Sequence, residues 1–261
     1  MLLNQEFFMR KPFVAGNWKM NTDSLTSVGL ARAVADSTID IAGETVDVAI
    51  LPPFVYMCNV VGALSTSHIA VGGQDVYFEQ KGAFTGEISA AMLKDAGCAY
   101  VLCGHSERRH VIKETDELIN KKVSASISGG LLPILCVGEL LDERKANKTG
   151  EVVKRQIERG LAGLSEEKML AVTIAYEPVW AIGTGLNATP EQAQQVHSMI
   201  RILVEKLYNK HIAEEMRILY GGSVKADNAK LLMEQADIDG LLVGGASLKA
   251  DEFIAIIKAA V

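Results

Sequence analysis

LLPILCVG, residues 131 to 138, is an uninterrupted apolar run with no charged side chain at any position. An alternating run would mark a strand with one wet face. A continuous run marks a parallel strand buried on both faces. Seven further apolar runs occur, most of them continuous: FVAGNW (13 to 18), VDVAIL (46 to 51), HIAVGG (68 to 73), AYVLCG (99 to 104), AVTIAY (171 to 176), MRILYGG (216 to 222) and DGLLVGG (239 to 245). Their starts are 22 to 45 residues apart, enough for a crossover helix in every interval.

The intervals carry helix signals. Thr189-Pro190-Glu191-Gln192 offers a Thr cap, Pro at the first helical position and Gln at the third, after which Val196, Met199, Ile200, Leu203 and Leu207 share one face. Phe253, Ile256, Ile257 and Ala260 repeat that spacing near the end. Strand and helix thus alternate eight times. An open doubly wound sheet has the same alternation, but the count favours closure. The expected fold class is α/β, a single-domain (β/α)8 barrel of parallel strands over residues 9 to 261, with residues 1 to 8 as an N-terminal extension.

With 49% hydrophobic and 22% charged residues the chain has the make-up of a packed globule, which excludes a disordered or collagenous class. A net charge of -6 argues against a nucleic-acid surface, and an anionic ligand would have to be attracted locally. No run of 18 apolar residues exists, so no membrane partner is expected, and MLLNQEFFMRK makes a poor signal peptide. Cys58, Cys98, Cys103 and Cys136 lie in or beside apolar runs without C-x-x-C spacing, which reads as buried, reduced thiols of a cytoplasmic protein. No metal-ligand cluster and no cofactor motif is called.

In such a barrel, chemistry collects at the C-terminal ends of the strands. Just past the runs stand Asn17 and Lys19, Gln74 and Asp75, His105 with Ser106 and Glu107, Glu139, Glu177, Ser223, and Gly244-Gly245. Glu177 closes an apolar strand and Pro178 fixes the chain direction after it. His105 follows the fourth run and heads the polar segment SERR, where a helix N-terminus would disfavour the imidazolium. Lys19 would supply local positive charge, with Asn17 beside it as a hydrogen-bond donor. YGGS and VGG each follow a strand and present bare backbone N–H groups, with a hydroxyl from Ser223, as a phosphate requires.

The segments AGNWKMN (15 to 21), GHSERR (104 to 109), AYEPVWAIGTG (175 to 185), YGGSV (220 to 224) and VGGASL (243 to 248) resemble those of the triosephosphate isomerase family, in order and with similar separations. The likeness runs from about Met9 to the C-terminus. It implies a TIM barrel that interconverts dihydroxyacetone phosphate and D-glyceraldehyde 3-phosphate through an enediolate-like species. Glu177 would be the general base and His105 a neutral electrophile, a pairing for which this family is itself the standing example. Lys19 and Asn17 would complete the catalytic set, with Glu107 in support. Gly183, Ser223, Gly244 and Gly245 would donate N–H groups to the phosphate.

A carbon-bound proton is abstracted only where the carboxylate is poorly hydrated, so a lid is expected over the site. Pro178, Val179 and Trp180 read as its stiff leading hinge, Ala181 and Ile182 as an apolar tip, and Gly183, Thr184 and Gly185 as the segment reaching the phosphate. The loop QDVYFEQKGAFTGE (74 to 87) carries Val76, Tyr77, Phe78 and Phe84 without periodicity, and apolar side chains on a long loop suggest docking. The resemblance implies a homodimer locked by this loop, with Thr85 reaching the partner's site near Lys19 and His105. Asp75 stands where the family often has Asn, and Leu186-Asn187 where Lys-Thr or Lys-Val is commoner.

Other classes fit less well. GTGLNA (183 to 188) matches a dinucleotide fingerprint, but Glu177-Pro178 interrupts the strand before it and the helix cap comes only at Thr189. GHSER (104 to 108) has Arg108 where a nucleophile elbow requires Gly. A Schiff-base aldolase through Lys19 is chemically possible. A sugar-phosphate-binding barrel without isomerase activity would be expected to lack base or electrophile, whereas Glu177 and His105 are both present.

Overall fold

The computed structural model describes residues 10–182 and 188–261. The expected extension, residues 1 to 8, lies outside them. Eight strands pair in sequence order into a closed barrel: β1 (Phe13–Asn17), β2 (Asp47–Leu51), β3 (Ala70–Gly73), β4 (Tyr100–Cys103), β5 (Leu132–Val137), β6 (Thr173–Tyr176), β7 (Ile218–Tyr220) and β8 (Gly240–Val243). All pairs are parallel, and β1 closes on β8 with Phe13 opposite Gly240. That closure demands glycine, because a Cβ at residue 240 would lie 1.9 Å from the Phe13 carbonyl oxygen. The paired segments are shorter than the apolar runs, since pairing stops where the chain must turn toward a helix.

Side chains alternate between the barrel interior and the helices. Phe13, Ala15, Ala49, Leu51, Leu102, Ile134, Cys136, Ala175, Leu219 and Leu242 form one cluster, and Val14, Val48, Ile50, Val101, Leu135, Ile174, Ile218 and Leu241 belong to another, packed with helix residues. Alternation therefore carries a prediction of direction. Two residues beyond Ala15, Ala175, Leu219 and Leu242 come Asn17, Glu177, Gly221 and Gly244, all of which line one cavity at the barrel's C-terminal mouth. At the other end, the Phe13 ring lies 4.7 Å from Tyr100 and 4.7 Å from the Arg217 guanidinium.

The helix at Pro190–Leu207 begins as its sequence dictates. Thr189 Oγ1 accepts from Gln192 N–H at 3.2 Å, and Gln192 Oε1 accepts from Thr189 N–H at 3.1 Å. A cap of this kind contributes about 1 kcal/mol. Its buried face is Ala193, Val196, His197, Ile200 and Val204. Leu207, assigned to that face from spacing, is 39% exposed because the helix ends there and the stripe has rotated outward. Several intervals hold more than one helix: Ser106–His110 and Asp116–Ser128 both lie between β4 and β5. No helix among the described residues is long and apolar enough to cross a membrane.

Three of the four cysteines are buried, and burial pushes the Cys98 and Cys103 thiols up to about 12. Cys58 corrects the expectation of four buried thiols. It is exposed on the helix Met57–Ala63, whose buried residues are Met57 and Val60. Val76 also departs from its expected role. It is 1% exposed and belongs to the core, leaving Tyr77, Phe78 and Phe84 as an aromatic cluster on the loop.

Candidate active site

The β6 strand ends at Tyr176, and the next residue places its carboxylate in the barrel mouth with 2% of Glu177 exposed. A buried carboxylate needs donors. Ser106 N–H donates to Oε2 at 2.9 Å, and His105 Nε2 lies 3.0 Å from Oε1. Glu177 is fixed from behind by its own N–H, which donates to the Val137 carbonyl at 2.7 Å. Gly221 makes the room: a Cβ there would stand 2.9 Å from Glu177 Cγ.

His105 caps the short helix Ser106–His110, and its Nδ1 accepts from Glu107 N–H at 3.3 Å. An Nδ1 that accepts carries no hydrogen, so the proton of the neutral ring sits on Nε2, facing Glu177. Burial pulls the His105 pKa down, but the Glu177 carboxylate outweighs it and leaves the value above that of an ordinary histidine. Two demands therefore meet on one ring. The carboxylate favours the cation and the helix amide favours the neutral form.

Lys19 occupies the left-handed region at φ 54°. A non-glycine residue held there costs on the order of 1–3 kcal/mol, and the surroundings must hold it in place. They do so on both sides: Asn17 Oδ1 accepts from Lys19 N–H at 2.9 Å, and Gln74 Nε2 donates to the Lys19 carbonyl at 2.8 Å and to that of Leu51 at 2.9 Å. Lys19 Nζ lies 2.6 Å from Glu107 Oε1, and Glu107 Oε2 lies 3.5 Å from His105 Nδ1. Glu107 thus stands against the site, between Lys19 and His105.

Asn17, Lys19, His105 and Glu177 share a cavity of about 290 Å³ with Gly222, Ser223, Gly244 and Gly245. Nothing lies within 4 Å of a Cβ built on Gly245, so the space before its backbone is open to a ligand. Gly183, Thr184 and Gly185, together with Leu186-Asn187, lie outside the described residues. Of the expected lid, Pro178 leads into a single 3-10 turn, Val179–Ala181. Ile182 lines the cavity as a tip residue would, whereas Ala181 is fully buried and packs inward.

Two of the polar residues past the strands go elsewhere. Glu139, fully buried, accepts from Trp180 Nε1 at 2.9 Å and from the Tyr176 hydroxyl at 3.1 Å, so it anchors the leading hinge. Arg144 lies 5.4 Å from the Trp180 ring, clamping the same side chain. Sequence reasoning placed Glu139 at the correct end of the barrel but gave it no role; a buried Glu one strand away from an exposable Trp was the available signal. Asp75 likewise turns away from the cavity. It joins buried Lys122 and Glu114 and half-buried Arg108 in a quartet, with Lys122 Nζ at 2.7 Å from Asp75 Oδ1 and 2.5 Å from Glu114 Oε1, and Arg108 at 2.8 Å from Asp75 Oδ2. The quartet joins the start of the long loop to the helix headed by His105. Thr85 is exposed on that loop and does not line the cavity of its own chain.

Comparison with known proteins gives the family. A family model described as Triosephosphate isomerase matches residues 12–260. The chain is similar to the triosephosphate isomerase of Carboxydothermus hydrogenoformans, with 54% identity over 97% of this chain and all of the relative. It is similar to that of Chloroherpeton thalassium at 52% identity, over 97% of this chain and 100% of the relative. The protein of the same name from Syntrophotalea carbinolica is 50% identical over 96% of this chain and 98% of the relative.

Proposed function

The chain belongs to the triosephosphate isomerase family, and on that footing we propose that it interconverts dihydroxyacetone phosphate and D-glyceraldehyde 3-phosphate with Glu177 as the proton-transferring base. The observation that carries the assignment of roles is the 3.0 Å approach of Glu177 Oε1 to His105 Nε2 in a cavity also walled by Ser223, Gly244 and Gly245. A phosphate anchored on that wall brings the adjoining carbons to the carboxylate.

Glu177 removes a proton from one carbon, and the electron pair moves onto the carbonyl oxygen to give an enediolate. The same carboxyl group then returns a proton to the neighbouring carbon. That carbon's hydroxyl becomes the new carbonyl as its O–H proton passes, relayed through His105 Nε2, to the oxygen that had taken up the charge. His105 Nε2–H, the Lys19 ammonium and Asn17 face the oxygens on which charge develops. Entry of a substrate oxygen beside Nε2 separates His105 from the Glu177 charge, while the Glu107 amide stays on Nδ1. The ring then acts as a neutral hydrogen-bond donor rather than a cation. Residues 178 to 182 close over the site, with Glu139 and Arg144 holding Trp180 as the hinge turns.

A spectrophotometric assay coupled to a dehydrogenase, run with each triose phosphate in turn, tests the activity. Conversion in both directions is expected, and no conversion of either at micromolar protein would overturn it. Within the site, Gly221→Ala is expected to lower kcat about ten-fold with a small change in KM, because the methyl displaces Glu177 by a few tenths of an ångström. Unaltered kcat would mean that Gly221 does not set the position of the base.

We further infer a homodimer, working in the cytoplasm, formed through the 74–87 loop with Thr85 reaching the partner's site. Exposed apolar side chains collect on the loops after the first four strands: Met20 at 94%, Val55 at 79%, Phe84 at 40%, Val111 at 71% and Ile112 at 57% exposure. So large a grouping on one half of the barrel mouth favours a protein contact. Thr85→Arg should give monomers with weak activity. Sedimentation that still found a dimer would remove Thr85 from the interface.

A further inference from the structure

Two lysines line the cavity, and they differ in what surrounds them. The Lys19 ammonium is already countered by Glu107 at 2.6 Å. Glu252, which also lines the cavity, is held by Lys249 at 2.9 Å. Lys225 sits two residues beyond Ser223 on the loop after β7 and is exposed. Its backbone is fixed, since Lys225 N–H donates to Asn228 Oδ1 at 2.9 Å and Asn228 Nδ2 donates to the Ser223 carbonyl at 3.0 Å. Its ammonium has no acidic partner among the described residues.

We propose that Lys225 is a steering and binding residue for the phosphoryl dianion, drawing it across the mouth onto Ser223, Gly244 and Gly245. The role rests on the isomerase reading of the site and extends it to the approach of the substrate. The physical need comes from charge. The chain carries a net charge of -6 and Glu177 lines the cavity, so an uncommitted cation at the entrance favours the approach of a dianion. A fixed turn with one free ammonium meets that need, because an exposed charge acts over about 10 Å at 0.1 M salt and a long flexible side chain samples that range.

The test compares Lys225→Gln, Lys225→Glu and Lys225→Arg with Lys168→Gln. Lys168 lies on the short helix Glu166–Met169 ahead of β6, at the opposite end of the barrel, so its variant makes the same change in net charge without touching the mouth. At about 10 mM ionic strength Lys225→Gln is expected to lower kcat/KM about five-fold, chiefly through KM, and the loss should shrink below about two-fold at 0.5 M salt. Lys225→Glu should lower it further, Lys225→Arg should restore it, and Lys168→Gln should match the unaltered enzyme. The competitive inhibition constant of inorganic phosphate should rise in parallel with KM. Lys225→Gln behaving like Lys168→Gln, or a loss that salt does not diminish, would overturn the proposal. Should the unaltered protein convert neither triose phosphate, the isomerase reading fails by itself. Titration calorimetry with inorganic phosphate on the same variants would still decide whether Lys225 serves an anion site.

Discussion

Glu177→Asp is expected to lower kcat about 100-fold while KM moves by less than about three-fold. The carboxylate would retreat by one methylene from a position fixed by Ser106 N–H at 2.9 Å and by a backbone bond to Val137 at 2.7 Å. Those contacts leave it little freedom to recover the lost reach. Proton transfer from carbon suffers most, because it depends steeply on the separation of donor and acceptor. The phosphate wall is untouched, so binding persists. Glu177→Gln removes the base altogether and should fall further, by roughly 10³-fold. Steady-state kinetics in both directions measure the split. If Glu177→Asp kept its kcat, Glu177 would not be the base, and a loss confined to KM would make it a binding group instead.

The second large effect concerns stability. Lys122→Met should destabilise the fold by about 3–5 kcal/mol, the usual result of removing one partner from a buried ion pair. Lys122 is 1% exposed and bridges Asp75 and Glu114, whose carboxylates would be left to share Arg108 alone. Asp75→Asn should cost much less. Burial raises the Asp75 pKa despite the attraction of Lys122 and Arg108, so the folded protein already disfavours that charge. The sign follows from linkage: an acid whose folded pKa is raised gains a proton more readily when folded, so protonating Asp75 adds stability as pH falls through that pKa. Urea unfolding midpoints at neutral pH compare the two variants. A Lys122→Met loss below about 1 kcal/mol, or an Asp75→Asn loss equal to it, would show that the quartet does not hold the loop to the His105 helix.

The barrel was legible because eight mostly continuous apolar runs alternate with helical segments, a count that favours closure over an open sheet, and because glycines and polar residues gather after them. The site was legible where a short motif lies at a strand's end. Parity along the strands then pointed Asn17, Glu177, Gly221 and Gly244 inward. Less legible were residues whose roles depend on a neighbour far along the chain. Glu139 and Trp180 are 41 residues apart, and Asp75 and Lys122 are 47 apart, with nothing local to pair them. Cys58 and Leu207 misled because apolar neighbours in sequence do not fix which side of a helix meets the core.

By itself the sequence determined how many strands there are, that they run parallel, and which side chains stand at the ends where chemistry gathers. These follow from local pattern, since burial on both faces and the turn to a helix are each recorded within a few residues. Only the tertiary structure decided that Glu177 meets His105 at 3.0 Å, that Lys19 is held in a left-handed backbone by Asn17 and Gln74, and that Asp75 faces a buried lysine. Such distances depend on the closure of the barrel, which brings the ends of strands far apart in the chain around one axis. No local signal carries that information, because the contact exists only when all eight strands are in register.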